Sequence, residues 1–229
     1  MKNIPSSNSS PNLSSGDLVS GLENRGAGRE TIGDGATVLR GFAGADAARL
    51  LTAVADIAAV SPFRRMMTPR GPMSVAMTNA GRAGWVTERG GYRYDARDPE
   101  TGRSWPAMPE IFTDLAARAA AAGGFANFNP DACLINRYEP GAQMGLHQDR
   151  DERDFRHPIV SVSLGLPGRF LCGGLKRSDK PRRILLRSGD VVVWGGPARL
   201  IFHGVAPLAD GEHPLTGHAR INLTFRKAR

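Results

Sequence analysis

The chain has 229 residues, of which 41% are apolar and 23% are charged, and its formal net charge at pH 7 is +8. This length and apolar content allow one domain with a sizeable core, and the charge is compatible with a polyanionic partner without proving one. The sequence contains neither a run of about eighteen apolar residues nor a basic-then-apolar leader. We therefore expect neither a membrane span nor a secretory signal.

The N-terminal part of the chain changes character near residue 30. Residues 1–30 are rich in Ser, Asn, Gly and Pro, which predicts a disordered tail followed by a single domain over 31–229. Residues 36–42 predict a first strand. Apolar residues at helical spacing predict a helix over 46–60, and a second helix follows Pro109 and extends to Ala122.

The segment between these helices, residues 62–95, combines basic and aromatic residues. Six arginines are interleaved there with Trp85, Tyr92 and Tyr94. A basic surface with exposed rings is typical of a groove that follows a nucleic-acid backbone and stacks unpaired bases. The same rings could instead pack the segment onto the rest of the domain, and the sequence alone leaves both interpretations open.

From Ala132 onward, short β-branched runs recur between Gly, Pro and Asp residues. This pattern is typical of a β-sandwich or jelly roll, and helices followed by strands predict an α+β chain built on a β-helix barrel. Cys133 and Cys172 have no CxxC partner, which favours reduced thiols in a cytoplasmic protein.

Three residues of this region form a candidate metal site. In an extended segment, His147 and Asp149 project to the same side, and His203 follows on a later apolar run. Two imidazoles and one carboxylate leave coordination positions open, as in non-haem Fe(II) oxygenases, whereas structural zinc sites are usually closed by thiolates. The alternatives are a solvated charged turn around His147 and a hydrogen-bonded core histidine at position 203.

The last strand alternates two kinds of side chain. Ile221, Leu223 and Phe225 form one face, and the other face carries Arg220, Asn222, Thr224 and Arg226. Two arginines are costly to bury without an anion, and a guanidinium matches carboxylate geometry. We interpret the polar face as a clamp for 2-oxoglutarate. The alternative is a half-exposed strand with ordinary surface charges.

Five motifs together resemble one family. Residues 131–138, 146–151, 159–167, 189–196 and 220–226 are similar to the AlkB family of Fe(II)/2-oxoglutarate-dependent dioxygenases, and the resemblance extends from about Pro62 to Arg226. It implies a double-stranded β-helix core with N-terminal helices and a nucleotide-recognition lid over 62–95. It also implies Fe(II), O2 and 2-oxoglutarate as cofactors.

The activity that the resemblance implies is repair of N-alkylated bases. The family removes methyl groups from 1-methyladenine and 3-methylcytosine in DNA, preferentially single-stranded, and releases succinate, CO2 and formaldehyde. The alternatives for the partner are double-stranded DNA or RNA, and those for the substrate are methylated RNA or protein. Two further alternatives are a cupin-like metal barrel and a catalytically silent nucleic-acid-binding barrel. A monomer is expected.

The resemblance also assigns roles to individual residues. It implies that Fe(II) is held by His147, Asp149 and His203. It places the distal carboxylate of 2-oxoglutarate at Arg220 and its metal-bound end near Arg226, with hydrogen bonds from Asn136, Tyr138 and Asn222. In the substrate site, it implies that the target base stacks on Trp85 and that Tyr92 and Arg177 contact the nucleic-acid backbone. It also implies that Asp151 contacts the cationic lesion.

Overall fold

The computed structural model describes residues 28–68, 71–88 and 91–229, which form two α-helices, a short 3-10 helix (Gly196–Ala198) and fourteen strands. The helices are α1 (Ala47–Val60) and α2 (Glu110–Ala122). The strands are β1 (Gly28–Gly33), β2 (Ala36–Arg40), β3 (Arg64–Thr68), β4 (Gly71–Gly81), β5 (Gly84–Glu88), β6 (Gly91–Asp95), β7 (Ala132–Tyr138), β8 (Met144–His147), β9 (Ile159–Gly165), β10 (Gly168–Cys172), β11 (Arg182–Leu186), β12 (Val191–Trp194), β13 (His203–Val205) and β14 (Arg220–Arg226). Within the described ranges, no helix has the length and apolarity that crossing a membrane requires.

Both predicted helices are confirmed, and both cover the same sheet. Leu50 and Ile57 lie on the buried face of α1, and Phe112 and Leu115 lie on that of α2. These side chains share one apolar cluster with strands β9, β12 and β14. The helices therefore shield one face of the sheet from water and leave its other face free to build a site.

This packing predicts that truncating two different leucines changes the free energy of unfolding by very different amounts. Leu115→Ala should lower the free energy of unfolding by about 2–5 kcal/mol, because Leu115 is fully buried and its truncation leaves a cavity. Leu175→Ala is the matched control and should change it by less than about 0.5 kcal/mol, because Leu175 is 60% exposed. Urea unfolding measures both values, and equal losses would contradict the position of the core.

The strands form a double-stranded β-helix, which confirms the predicted fold class. The major sheet has the order β1-β2-β12-β9-β14-β7-β4-β3, and the minor sheet has the order β11-β10-β13-β8. Apolar side chains of β2, β9 and β12 share a second core cluster with Phe170, Ile184 and Leu186 of the minor sheet. The two sheets therefore pack face to face, and the space between them at the other end of the barrel holds the polar residues described below.

The N-terminal boundary differs from the prediction. β1 begins at Gly28, so the boundary predicted at residue 30 falls inside a strand, and residues 1–27 lie outside the described residues. β1 is an edge strand in which Ile32 alone is buried, so its sequence lacks the apolar alternation that predicts a strand. Hydrogen bonding to β2 rather than burial holds it in the sheet.

The predicted lid is divided between two sheets. β3 and β4 extend the major sheet through pairing of β4 with β7. β5 and β6 instead form a separate two-stranded hairpin that carries Trp85 and Tyr92. The aromatic part of the segment is therefore a hairpin that is separate from the major sheet.

Candidate metal centre and co-substrate pocket

The minor sheet brings the three predicted metal ligands together. His147 ends β8, His203 begins β13, and the two residues are direct partners in the antiparallel ladder. Asp149 lies two residues beyond His147, and its carboxylate oxygens are each 3.6 Å from the Nε2 atom of one histidine. The three candidate ligand atoms lie within 4.8 Å of one another. Asp149 is buried, which argues against a solvated turn at this position.

Backbone carbonyls orient both imidazoles. The Nδ1 atom of His147 lies 2.8 Å from the Gly145 carbonyl oxygen, and that of His203 lies 3.1 Å from the Ile201 carbonyl oxygen. Because a carbonyl only accepts, Nδ1 carries the proton in the neutral form of each ring, and Nε2 then offers its lone pair to a metal. Such outer hydrogen bonds fix the tautomer and direction of metal-binding histidines.

The surroundings of Asp149 and His203 favour the forms of these two residues that bind metals, whereas Asp149 favours the protonated form of His147. Burial opposes ionisation of Asp149, but Arg226 and His203 outweigh it and hold the pKa of this carboxyl well below its usual range. Burial lowers the pKa of His203. Burial also acts to lower the pKa of His147, but the hydrogen bond and charge of Asp149 raise it overall. An ionised Asp149 beside a neutral His203 is the state that a metal ion requires.

The polar face of β14 lines the adjoining pocket. All seven residues of this strand are buried, so the alternative of a half-exposed strand is wrong. Its apolar residues join the helix-covered core, as predicted. The pocket contains both histidines and the side chains of Asn136, Tyr138, Arg220, Asn222, Thr224 and Arg226.

Arg220 and Arg226 occupy different parts of this pocket. Arg226 is within 2.7 Å of Asp149 and therefore belongs to the metal end. Arg220 is only 2% exposed, stacks its guanidinium 5.3 Å from the Tyr138 ring centre, and donates from Nη2 to the Ser163 hydroxyl. Among the described residues, its Nε and Nη1 atoms have no hydrogen-bond acceptor.

A dicarboxylate fits these unpaired groups. A buried guanidinium with unsatisfied N–H donors is unfavourable, and a carboxylate accepts from such a fork in a bidentate manner. Burial raises the pKa of Tyr138 to about 12, so its hydroxyl stays protonated and is a further donor. Fe(II) at the histidine cluster and 2-oxoglutarate between it and Arg220 therefore match the donors that this pocket offers.

The four predicted substrate contacts lie near the metal cluster. Trp85 stacks on Tyr92 with ring centres 4.9 Å apart, and the Trp85 indole N–H donates to the Asp151 carboxylate at 2.8 Å. Asp151 thus contacts the aromatic hairpin rather than the neighbouring arginines. Arg177 donates to the Leu146 carbonyl, one residue before His147. Trp85, Tyr92 and Asp151 form one cluster, and Arg177 stands apart from it.

Several cations of the segment 62–95 are neutralised by neighbouring carboxylates, which the sequence pattern did not indicate. The pairs are Arg64 with Asp98, Arg65 with Glu139, and Arg93 with Asp95. Two others, Arg70 and Arg89, lie outside the described residues. The basic groove predicted for this segment is therefore less cationic than its composition suggests.

The sequence did not reveal the role of Glu152. Its side chain is 1% exposed and contacts Tyr94, Arg199 and Arg226 at 3.0–3.2 Å. Through Arg226 it joins the aromatic hairpin to Asp149. Glu152 lies in a charged run that resembles a solvated loop, and its partners are remote in sequence, so no local signal identifies it.

Ser161 and Ser163 were also not predicted as residues of the site, although the sequence pattern of β9 indicates them. They accept hydrogen bonds from Asn222 and Arg220 across the β9–β14 ladder. Serine alternates with aliphatic residues in β9, which indicates a strand with one polar face. That pattern could have placed both serines beside the polar face of β14.

The fold and this site together define a 2-oxoglutarate-dependent Fe(II) oxygenase. The model of the 2OG-Fe(II) oxygenase superfamily matches residues 35–226. The chain is 58% identical over 201 residues to alpha-ketoglutarate-dependent dioxygenase AlkB of Escherichia coli (strain K12), covering 87% of this chain and 93% of that one. The chain belongs to the AlkB family of these dioxygenases and is an enzyme of that type.

Two further comparisons agree with this assignment. The chain is 36% identical over 134 residues to the Mus musculus protein named nucleic acid dioxygenase ALKBH1, covering 57% of this chain and 34% of that one. The solved structure of OsALKBH1 superposes with a TM-score of 0.77 at 30% identity, covering 87% of this chain and all of the other. Both the sequence and the fold of the catalytic region are thus shared with the family.

Proposed function

We propose that this dioxygenase removes N-linked methyl groups from 1-methyladenine and 3-methylcytosine in DNA, preferentially in single strands, and releases succinate, CO2 and formaldehyde. The name of one relative, nucleic acid dioxygenase ALKBH1, supports a nucleic-acid substrate. The Trp85–Tyr92 stack supports it independently, since aromatic rings near a catalytic pocket suit an unpaired base. Methylated RNA is the second candidate, because stacking does not distinguish the two sugars.

One observation carries this proposal: a His–Asp–His cluster adjoins a pocket in which two donor atoms of Arg220 are unpaired, and Asp151, two residues beyond Asp149, accepts a hydrogen bond from the aromatic hairpin. His147, Asp149 and His203 would hold Fe(II), which together with 2-oxoglutarate and O2 supplies the oxidation of the N-methyl group. Arg220 and Tyr138 orient the dicarboxylate, and the apolar walls of the pocket exclude water.

Asp151 gives a physical basis for choosing the lesion. Both methylated bases carry a positive charge, whereas the unmodified bases are neutral. Asp151 is an exposed acidic residue two positions from Asp149, and it already accepts a hydrogen bond from Trp85. A carboxylate at this position would attract the cationic base to the stacking surface.

The direct test is anaerobic reconstitution with Fe(II), followed by exposure to air with a methylated oligonucleotide. Formaldehyde release that depends on 2-oxoglutarate is the expected result, with faster release from single-stranded than from double-stranded DNA. Turnover of 2-oxoglutarate without release from any methylated strand would contradict the proposed substrate. Faster release from RNA than from DNA would favour the second candidate.

Trp85→Ala should reduce demethylation by about tenfold or more while leaving uncoupled conversion of 2-oxoglutarate to succinate within about twofold. The physical reason is that base stacking on an aromatic ring is worth about 1–3 kcal/mol, whereas the metal cluster does not include Trp85. Trp85→Phe is the control that keeps a stacking ring and removes the hydrogen bond to Asp151. Parallel measurement of succinate and formaldehyde separates the two effects, and equal losses of both would argue against stacking.

We further propose that the enzyme is a cytoplasmic monomer. Cys133 and Cys172 are both free and buried, which suits a reducing compartment. Large exposed apolar side chains such as Val60, Leu175 and Leu215 lie on separate elements of the chain. Sedimentation of the purified protein tests the oligomeric state.

A further inference from the structure

The outer face of the minor sheet carries arginines that the active site does not use. In β10 and β11, Phe170 and Ile184 point into the barrel, whereas Arg169 and Arg183 are exposed on the opposite face. The ladder pairs Arg169 with Leu185 and Leu171 with Arg183. The two arginines are therefore diagonal neighbours, and the Cβ atoms of such neighbours are about 7–8 Å apart.

These arginines belong to a larger group that we call the cationic face. Its members are exposed side chains of β10, of β11 and of the segments that adjoin them: Arg169, Lys176, Lys180, Arg183 and Arg187. Within the described part of the chain, no carboxylate pairs with any of these five side chains. Asp179 lies among them, but its carboxylate accepts the backbone N–H of Lys176.

Several exposed or half-buried arginines elsewhere in the protein are paired with carboxylates. Arg40 pairs with Glu30, Arg118 with Asp46, and the segment 62–95 contains three further pairs. Like charges that share one strand pair repel each other, so the unpaired grouping on the minor sheet is unfavourable in the free protein. A polyanion lying along the sheet would relieve this repulsion.

One end of the strands that carry the cationic face lies beside the metal site. β10 and β11 are joined by the connection 173–181, which contains Arg177, and Arg177 contacts Leu146 next to His147. At this end of the sheet Cys172 pairs with His203. From there the two five-residue strands lead away from the metal site for about 13 Å, at about 3.3 Å for each residue.

We infer that the cationic face binds the sugar-phosphate backbone of the substrate strand, on the side of the flipped base that leaves the pocket past Arg177. The inference rests on the proposed function, because it extends the path of that same strand. The face contains no aromatic side chain among its five members, so its contacts would be electrostatic and independent of base sequence.

The test compares Arg169→Ser/Arg183→Ser with the unchanged enzyme on strands of two lengths. For a methylated single strand of about 16 nucleotides, affinity should fall roughly 25-fold at about 0.1 M salt. The slope of log K against log salt should become shallower by about 1.4, because each lost phosphate contact contributes about 0.7 for single strands. A methylated trinucleotide, which is too short to reach the cationic face, should be demethylated at an unchanged rate.

Two control variants make the result specific. Arg49→Ser/Arg118→Ser removes the same charge from the two helices. Because the helices cover the face of the major sheet that points away from the minor sheet, this variant should leave the affinity for the long strand within about twofold. Arg169→Lys/Arg183→Lys keeps the charge and should restore most of the affinity. Thermal unfolding of all variants confirms that exposed substitutions leave the fold intact.

The outcomes separate this inference from the proposed function. Equal binding of the long strand by the Arg169→Ser/Arg183→Ser variant and the unchanged enzyme would overturn the inference. An equal loss in the helix control would overturn it as well, because the effect would then reflect net charge alone. If the unchanged enzyme released no formaldehyde from either strand, the proposed function would fail, whereas the binding data would still decide whether the cationic face holds a strand.

Discussion

Replacing His203 with alanine is expected to abolish Fe(II)-dependent conversion of 2-oxoglutarate to succinate, together with demethylation. His203 is buried, its Nε2 atom faces Asp149, and its Nδ1 atom is held by a backbone carbonyl. Removing only an outer hydrogen-bond partner of a metal ligand typically weakens metal binding about 10–100-fold. Loss of the ligand itself should exceed that range.

The measurement is Fe(II) binding under anaerobic conditions, paired with succinate release in air. His218→Ala is the matched control, because this histidine is 68% exposed and lies outside the pocket. It should retain both metal binding and turnover. A His203→Ala enzyme that still bound Fe(II) within about tenfold of the original affinity would refute the ligand assignment.

Arg220→Met is expected to raise the KM for 2-oxoglutarate by about thirtyfold or more while leaving Fe(II) binding within about twofold. Truncating one member of a buried charge pair typically costs about 2–5 kcal/mol, which corresponds to at least tens-fold in affinity. The guanidinium of Arg220 is buried and its Nε and Nη1 donors are unpaired within the described structure, so the co-substrate would be its counterion. Arg220 does not contact Asp149, and therefore the metal ligands should keep their positions.

Arg49→Met supplies the control for this substitution, since the Arg49 side chain is 74% exposed on α1. Steady-state kinetics with varied 2-oxoglutarate measure KM, and titration without co-substrate measures Fe(II) binding. An unchanged KM would show that Arg220 does not hold the dicarboxylate. A parallel collapse of Fe(II) binding would instead indicate that Arg220 supports the fold of the site.

Periodicity was sufficient to predict those parts of the fold in which one face is buried and the other is not. α1, α2 and β14 each show this pattern, and each was predicted within one or two residues. β1 was missed because an exposed edge strand has no buried face to produce alternation. The division of the segment 62–95 between two sheets depends on pairing of β4 with β7, which lies far away in sequence.

In the site, too, local spacing could be predicted from the sequence, whereas contacts between residues far apart in sequence could not. The spacing of His147 and Asp149 places both on one side of an extended segment, and the structure brings His203 to them through strand pairing. Glu152 and Arg199 could not be predicted, because their burial is a consequence of tertiary contacts between loops. The link between Trp85 and Asp151 is likewise a contact across 66 positions of sequence.

The arrangement of β14 has a consequence for the choice of co-substrate. Arg226, which holds Asp149, and Arg220, which faces the far end of the pocket, lie on one strand, which pairs with β7 along its whole length and with β9 from Arg220 to Phe225. Because neither end of a strand held on both sides can slide, the span available to a dicarboxylic acid is set by covalent backbone dimensions rather than by adjustable loops. Discrimination against shorter or longer homologues of the acid therefore depends on the main-chain spacing of this strand as well as on the side chains that line the pocket.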